Sequence, residues 1–404
     1  MLSTPSPSPE PKPAPIPGSA NAAIAALAVA SFASQALVRA ADTLLPQIAA
    51  DFAVSAGAAS IVITAYALTH GSMQFVTGPI ADAFGKYRTV ALACLLSAAT
   101  VAACGLAHTL DALTLARFVS GLTVAWILPI SLAFIGDVVP YEQRQQVLGR
   151  FLAGQVLGQL FGQAAGGIVG DWFGWRTVFL LLAAMLAVAA VALGYQLASN
   201  PVTHTGRGST ERRGLIASYR IVLGTPWARI MLIAVGIEGT FFQGIFSYIG
   251  ADLHLRFGLS FTAVGIIIGI FALGGLIYAA TVKTLMRRLG QTGIAKIGGV
   301  MMGLSFLTLA LQPVWHFAPL AMLGVGIGFY MLHNTLQTEA TQMVPQARGT
   351  GVTLFASMYF LGQTLGVGLG APVMDRYGGP PLFVIAAVVL PALAFWFTGN
   401  LRRR

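Results

Sequence analysis

Twelve apolar runs, each roughly 20 residues or longer, leave this chain few ways to fold. They lie at about 22–49, 57–79, 89–107, 111–138, 147–169 and 176–197, then at about 227–250, 261–285, 292–312, 316–340, 349–374 and 381–399. A bilayer core about 30 Å thick takes roughly 20 helical residues to cross, and only a helix or a closed barrel pairs all its backbone groups without water. Charged residues make up 9% of the chain, against about a quarter in a soluble domain, so its surface cannot be solvated on every side. The expectation is an all-α polytopic membrane protein with twelve transmembrane helices. The runs divide six and six around the polar, basic stretch Ser199–Pro226. The layout expected is a Pro-rich tail at 1–20, a six-helix bundle at 21–198, a cytoplasmic linker at 199–226, a second six-helix bundle at 227–400 and a basic tail at 401–404.

The two halves are related. Gly158–Phe179, GQLFGQAAGGIVGDWFGWRTVF, recurs without a gap as Gly362–Phe383, GQTLGVGLGAPVMDRYGGPPLF. Gly158, Gln159, Gly162, Gly166, Val169, Asp171, Gly174 and Phe179 fall on Gly362, Gln363, Gly366, Gly370, Val373, Asp375, Gly378 and Phe383. Each copy is a glycine-striped helix, an Asp, a short aromatic-glycine loop and a second apolar run. A repeat this long implies duplication of a six-helix unit, and two related halves are the usual sign of a transporter that rocks one half against the other. Glycines spaced by four make a smooth face, suited to tight helix packing and to a surface that stays closed while the halves move.

The net charge of +10 reports topology and not a nucleic-acid partner. Of the 23 Lys and Arg residues, only Arg39, Arg117, Arg176, Arg256 and Arg376 fall within spans or on one side; the rest cluster on the other. By the positive-inside rule that side is the cytoplasm, which places both termini there, in a bacterial-type inner membrane. The first run lacks a basic region before it and eleven runs follow, so it is expected to stay as a helix and not to be cleaved as a signal peptide. Cys94 and Cys104 lie ten residues apart in one span, too far along a helix to bond. With no GxxxxGK[ST] and no HExxH, neither ATP, nor a metal, nor any cofactor is expected, and no enzyme.

The loop after the second run reads GPIADAFGKYRTV. It resembles the signature loop of the major facilitator superfamily, G-x-x-x-D-[RK]-x-G-[RK]-[RK], matching at Gly78, Asp82, Gly85 and Lys86 and departing at Ala83 and Tyr87. The resemblance implies that Asp82 helps lock the outward-facing state, with Arg144 as partner. In the fourth run Arg117, Gly121, Ala125 and Pro129 recur every four residues, similar to that family's span-4 motif, in which the Arg is linked to proton transfer; Pro129 should kink this helix. Gly158, Gly162, Gly166 and Gly167 fit the span-5 motif of the family's antiporters, while Gln163 stands in place of its proline. The resemblance covers nearly all of the chain beyond the tail. It is closest to the twelve-span drug/proton antiporters, and implies two pseudo-symmetric six-helix bundles.

Four ionisable side chains lie within spans and are the candidates for proton coupling: Arg39, Asp42, Arg117 and Glu238. Gln35, Arg39 and Asp42 share one face of the first helix, so Arg39 and Asp42 can neutralise each other locally. No basic residue lies within two helical turns of Glu238, which makes it the better proton carrier. Phe242 and Phe246 follow it at one-turn intervals. Tyr66, His70, Gln155, Gln159, Tyr330 and Asn334 follow helical spacing and complete the expected substrate cavity. His70 or His333 taken alone reads as a hydrogen-bonded interhelical residue. The function expected is proton-coupled export of a small amphipathic solute by a monomer; the alternatives are proton symport of a metabolite inward and a transporter-like sensor.

Overall fold

The computed structural model describes residues 18–204 and 215–403, less the side chains of 78–83, 141, 142, 145 and 215. Every regular element among the described residues is helical. The long helices among the described residues are α1 (Gly18–Asp51), α2 (Ile61–Phe84), α3 (Lys86–Gly105), α4 (Leu110–Val138), α5 (Tyr141–Phe173), α6 (Trp175–Ser199) and α7 (Pro226–Phe257), followed by α8 (261–289), α9 (291–311), α10 (Trp315–Ala340), α11 (Arg348–Tyr377) and α12 (Pro380–Leu401). A short linker helix, Leu215–Gly224, precedes α7.

Helices α8 and α9 run on as one element broken at Gly290, whose φ of 63° only glycine adopts without strain. Gly85 makes the equivalent turn between α2 and α3 at φ 88°. Gly174 (φ 81°) and Gly378 (φ 74°) form a second matched pair, at the loops that follow the glycine-striped helices of the two repeated stretches. The duplication is therefore visible in the backbone as well as in the sequence.

The repeated glycine stripe does the same task in both halves. Gly158 and Gly162 lie so close to α1 that an added Cβ would meet the carbonyl oxygens of Phe32 at 2.5 Å and Ala36 at 2.0 Å. Gly362 and Gly366 press in the same way on α7, against the carbonyls of Gly236 and Thr240. The stripe thus packs α5 on α1 and α11 on α7, inside each half. Between the halves α5 meets α8 and α11 meets α2; Gly167 and Gly265 touch backbone to backbone at the first of these seams.

Pro129 breaks α4 as its chemistry requires, but upstream of itself. The helix stops at Val124, Ala125 and Trp126 form the break, and Ile127 starts the next segment. Proline lacks an N–H and crowds the carbonyl four residues before it, here that of Ala125. The freed carbonyl accepts a hydrogen bond from Gln74 Nε2 of α2 at 3.3 Å. In α7 a π-helical turn, Gly239–Gly244, begins immediately after Glu238. Gly239 permits it, because a Cβ there would lie 2.2 Å from the carbonyl oxygen of Tyr359 in α11.

Candidate proton-coupling and gating site

Glu238 is fully buried at the start of the π turn. Its Oε2 lies 2.7 Å from Nδ1 of His333, contributed by α10, and its Oε1 has no hydrogen-bond partner. The expectation that Glu238 lacks a basic neighbour holds along its own helix and fails across the bundle. His333 is far away in sequence, and its i, i+4 surroundings give no sign of the acid it meets. The imidazole stacks on Phe329 (4.8 Å between centroids, 19° between planes) and sits 5.1 Å from the ring of Tyr359. The Tyr359 hydroxyl donates to Gln243 Oε1 at 2.8 Å, inside the same π turn.

Asp42 is held differently. Its Oδ2 faces Arg39 Nη1 at 3.4 Å on the same helix, and its Oδ1 accepts a hydrogen bond from Ser247 Oγ at 2.9 Å across the seam between the halves. The Arg39 guanidinium also lies over Phe246 at 4.8 Å and near Phe271 at 5.7 Å. Gln159 Nε2 donates to Gln35 Oε1 at 2.9 Å, which ties α5 to the same face of α1.

Arg117, 1% exposed, makes no ion pair among the described residues. Its Nε donates to the carbonyl of Val62 at 3.3 Å, and the Tyr66 ring lies 4.0 Å from the guanidinium carbon. A π face and a backbone dipole hold this cation in place of an acid. His70 packs between Tyr66 (5.3 Å) and Phe360 of α11 (4.3 Å), at the seam of the two halves.

The expected cavity residues divide into two groups. Phe242 is fully buried in an aromatic cluster with Phe271, Phe306 and Phe329, and Phe246 lies between that cluster and Arg39. Tyr330 packs at the cluster's edge against Phe329 and Phe271, while Tyr330 and Asn334 are each partly exposed. Gln155 is buried with Nε2 unpartnered. Gln163, which replaces the antiporter-motif proline, is fully buried with both amide atoms unpartnered.

In the signature loop Gly78 and Asp82 lie outside the described side chains. Lys86 forms an ion pair with Asp137 at the end of α4, 2.5 Å apart. Arg144 donates from Nη2 to the carbonyl of Val139 at 3.3 Å.

Beside the buried Ser247–Asp42 bond, three further contacts between described residues of the two bundles lie at the end of the molecule opposite the termini. Asp171 of α5 meets Thr262 at the start of α8, Asp375 of α11 meets Ser55 and Gly57 before α2, and Tyr248 of α7 donates to Ser60 Oγ at 2.9 Å. At the other end Tyr219 of the linker helix donates to the carbonyl of Phe75 in α2.

The relatives of this chain are transporters. An uncharacterised transporter, YceJ of Bacillus subtilis (strain 168), is 27% identical over 81% of this chain and 82% of its own length. The bicyclomycin resistance protein homolog of Haemophilus influenzae is 24% identical over 90% and 94%. A probable sugar efflux transporter of Pasteurella multocida is 25% identical over 72% and 71%. The solved nucleoside transporter NupG superposes with a TM-score of 0.74 at 16% identity, covering 95% of this chain and all of that one. A peptide transporter, POT, gives 0.74 at 16% over 94% of each. The chain is a multi-span membrane transporter of small molecules, and not an enzyme. The model of the Major Facilitator Superfamily matches residues 27–367, and the chain belongs to that family.

Proposed function

We propose that the chain is a proton-coupled exporter of small, amphipathic, neutral or weakly cationic solutes, working by alternating access with both termini in the cytoplasm. The observation that carries this reading is the Glu238–His333 contact, a fully buried carboxylate whose partner is itself titratable and whose second oxygen is free. With one proton the pair is neutral; without it the pair carries a single negative charge in a low-dielectric interior. A solute that brings a positive charge, or a strong hydrogen-bond donor, replaces the departing proton. Proton and solute then occupy the site in turn, which is exchange. Arg39, fixed to Asp42, and Arg117, fixed to Tyr66, are charges the cycle leaves in place. The aromatic surface around His333, from Phe329, Tyr359 and Phe355, suits an amphipathic ligand. The printed names of several relatives, which include resistance and efflux proteins, support the outward direction.

The test is transport in proteoliposomes under an imposed pH gradient, with a panel of weakly cationic and neutral amphipathic compounds. At least one compound is expected to move against its gradient in the direction opposite to protons. Glu238→Gln should abolish that uphill movement and keep downhill exchange. Movement of solute and protons in the same direction would establish symport and overturn the reading.

A further inference from the structure

The glycine-striped helix of each repeated stretch carries an aspartate in its last turn, and neither Asp171 nor Asp375 has a role in the scheme above. In the structure each one reaches across to the opposite bundle: Asp171 meets the amino-terminal end of α8, and Asp375 meets that of the short helix Ala56–Ala59, which leads through Ser60 into α2. Asp171 Oδ2 accepts from the Thr262 backbone N–H at 3.1 Å and from Thr262 Oγ1 at 2.6 Å. Asp375 Oδ1 accepts from the Gly57 N–H at 2.7 Å, and its Oδ2 accepts from Ser55 Oγ at 2.7 Å.

Both target helices already carry an N-cap of their own. Ser55 Oγ accepts from the Ala58 N–H, and Ser260 Oγ accepts from the Ala263 N–H. The first turn of a helix presents four N–H groups without internal partners, together with the positive end of the helix dipole. One serine leaves room for a second acceptor, and in each half the aspartate of the other bundle takes it. The two contacts are related by the same duplication that relates the sequences. They flank the axis between the bundles, one at the α5–α8 seam and the other at the α11–α2 seam.

The backbone fits the contact. Gly57 lies so near Asp375 and the carbonyl of Ala371 that a Cβ would meet them at 2.4 and 2.5 Å. Gly167, one turn before Asp171, touches the Cα of Gly265 in α8, where a Cβ would come within 2.5 Å. Small residues let the ends of the helices close, and the carboxylates then fasten them.

We propose that Asp171 and Asp375 are a matched pair of gate residues, cross-bundle helix caps that hold this end of the transporter shut and set the balance between its two access states. With the termini in the cytoplasm this is the outer end. The proposal rests on the alternating-access part of the reading above, and is independent of the proton and of the solute. Because opening must break both caps, their contributions multiply. Asp375 uses both carboxylate oxygens and Asp171 only one, so an Asn is tolerated better at 171 than at 375.

The test is the distance between spin labels on Leu106→Cys and Val314→Cys, at the far ends of α3 and α9, in a background with Cys94 and Cys104 replaced by Ala and the protein in lipid nanodiscs. Both positions are exposed and lie in opposite halves. Asp171→Ala and Asp375→Ala are each expected to raise the outer-open, long-distance population about fivefold, with the double variant raising it by roughly the product. Gly167→Ala, which wedges the α5–α8 seam with both aspartates intact, should shift it in the same direction. Gly158→Ala, which crowds α1 within one half, should leave the distances where they are.

An unchanged distribution in the double variant, at wild-type folding yield, overturns the proposal. So does a lower melting temperature with no change in distance, since the caps would then serve stability alone. If the labels respond but no compound releases protons, the coupling scheme fails and the gate stands. If protons are released but the labels do not respond, the gate fails alone.

Discussion

Asp42 and Glu238 are buried carboxylates in the first helices of the two related halves, and they are held by opposite means. Asp42 has both oxygens engaged, one by Arg39 three residues away and the other by Ser247 across the seam. Glu238 has one oxygen on His333 and the other free. An arginine keeps its proton under all working conditions, so Asp42 faces a partner of fixed charge. Glu238 has a histidine as its partner, the residue type that the proposed scheme uses for exchange. On the proposed scheme, Asp42 joins the halves and Glu238 carries the proton. A buried acid becomes available for chemistry through the titratability of its partner, more than through burial itself.

The largest effect should come from breaking the fixed pair. Arg39→Gln strands a buried carboxylate, and loss of one partner of such a pair costs roughly 3–5 kcal/mol. The expected outcome is a steep fall in thermal stability in detergent, largely recovered when Asp42→Asn is added. Failure of the second substitution to restore stability would break the comparison at its fixed side. Ser247→Ala should come next, since a hydrogen bond to a charged group contributes about 1.5–3 kcal/mol. Because that bond crosses the seam, the loss should show as a longer distance between the Leu106 and Val314 labels as well as a lower melting temperature. His333→Gln keeps a polar contact to Glu238, so stability should change by only about 1 kcal/mol. The pH dependence of ligand binding should change far more. In the wild type, affinity for a weakly cationic ligand that competes with the proton should rise with pH, by up to about tenfold per unit. In the variant that slope should flatten, as isothermal titration at several pH values would show.

Much of this was legible in the chain, and the rest was not for definite reasons. Apolar runs, glycine periods and the Gly158–Phe179 repeat are local patterns, so the all-helical membrane fold could be read directly. The Arg39–Asp42 contact was legible because its partners lie one turn apart. His333 was not, because its partner lies on another helix and the Glu238–His333 contact depends on a three-dimensional approach that spacing does not encode. Phe242 and Phe246, placed by regular helical spacing beside Glu238, lie in and just after a π turn and pack in the aromatic cluster of Phe271 and Phe329, whose ring stacks on His333. Pro129 announced a break in α4, but the break falls at Ala125, whose carbonyl the ring excludes and Gln74 then uses. The repeated Asp171 and Asp375 stood out in the sequence; the helix ends they meet lie in the other bundle and could not be named from it.

The measurement that bears most directly on the central claim is proton release in detergent when weakly cationic amphipathic compounds are added, compared across wild type, Glu238→Gln and Asp42→Asn. The account predicts that a binding compound releases protons from the wild type and from Asp42→Asn, and none from Glu238→Gln. Release that persists without Glu238 and disappears without Asp42 would invert the assignment. Tight binding with no release, or with proton uptake, would contradict exchange itself.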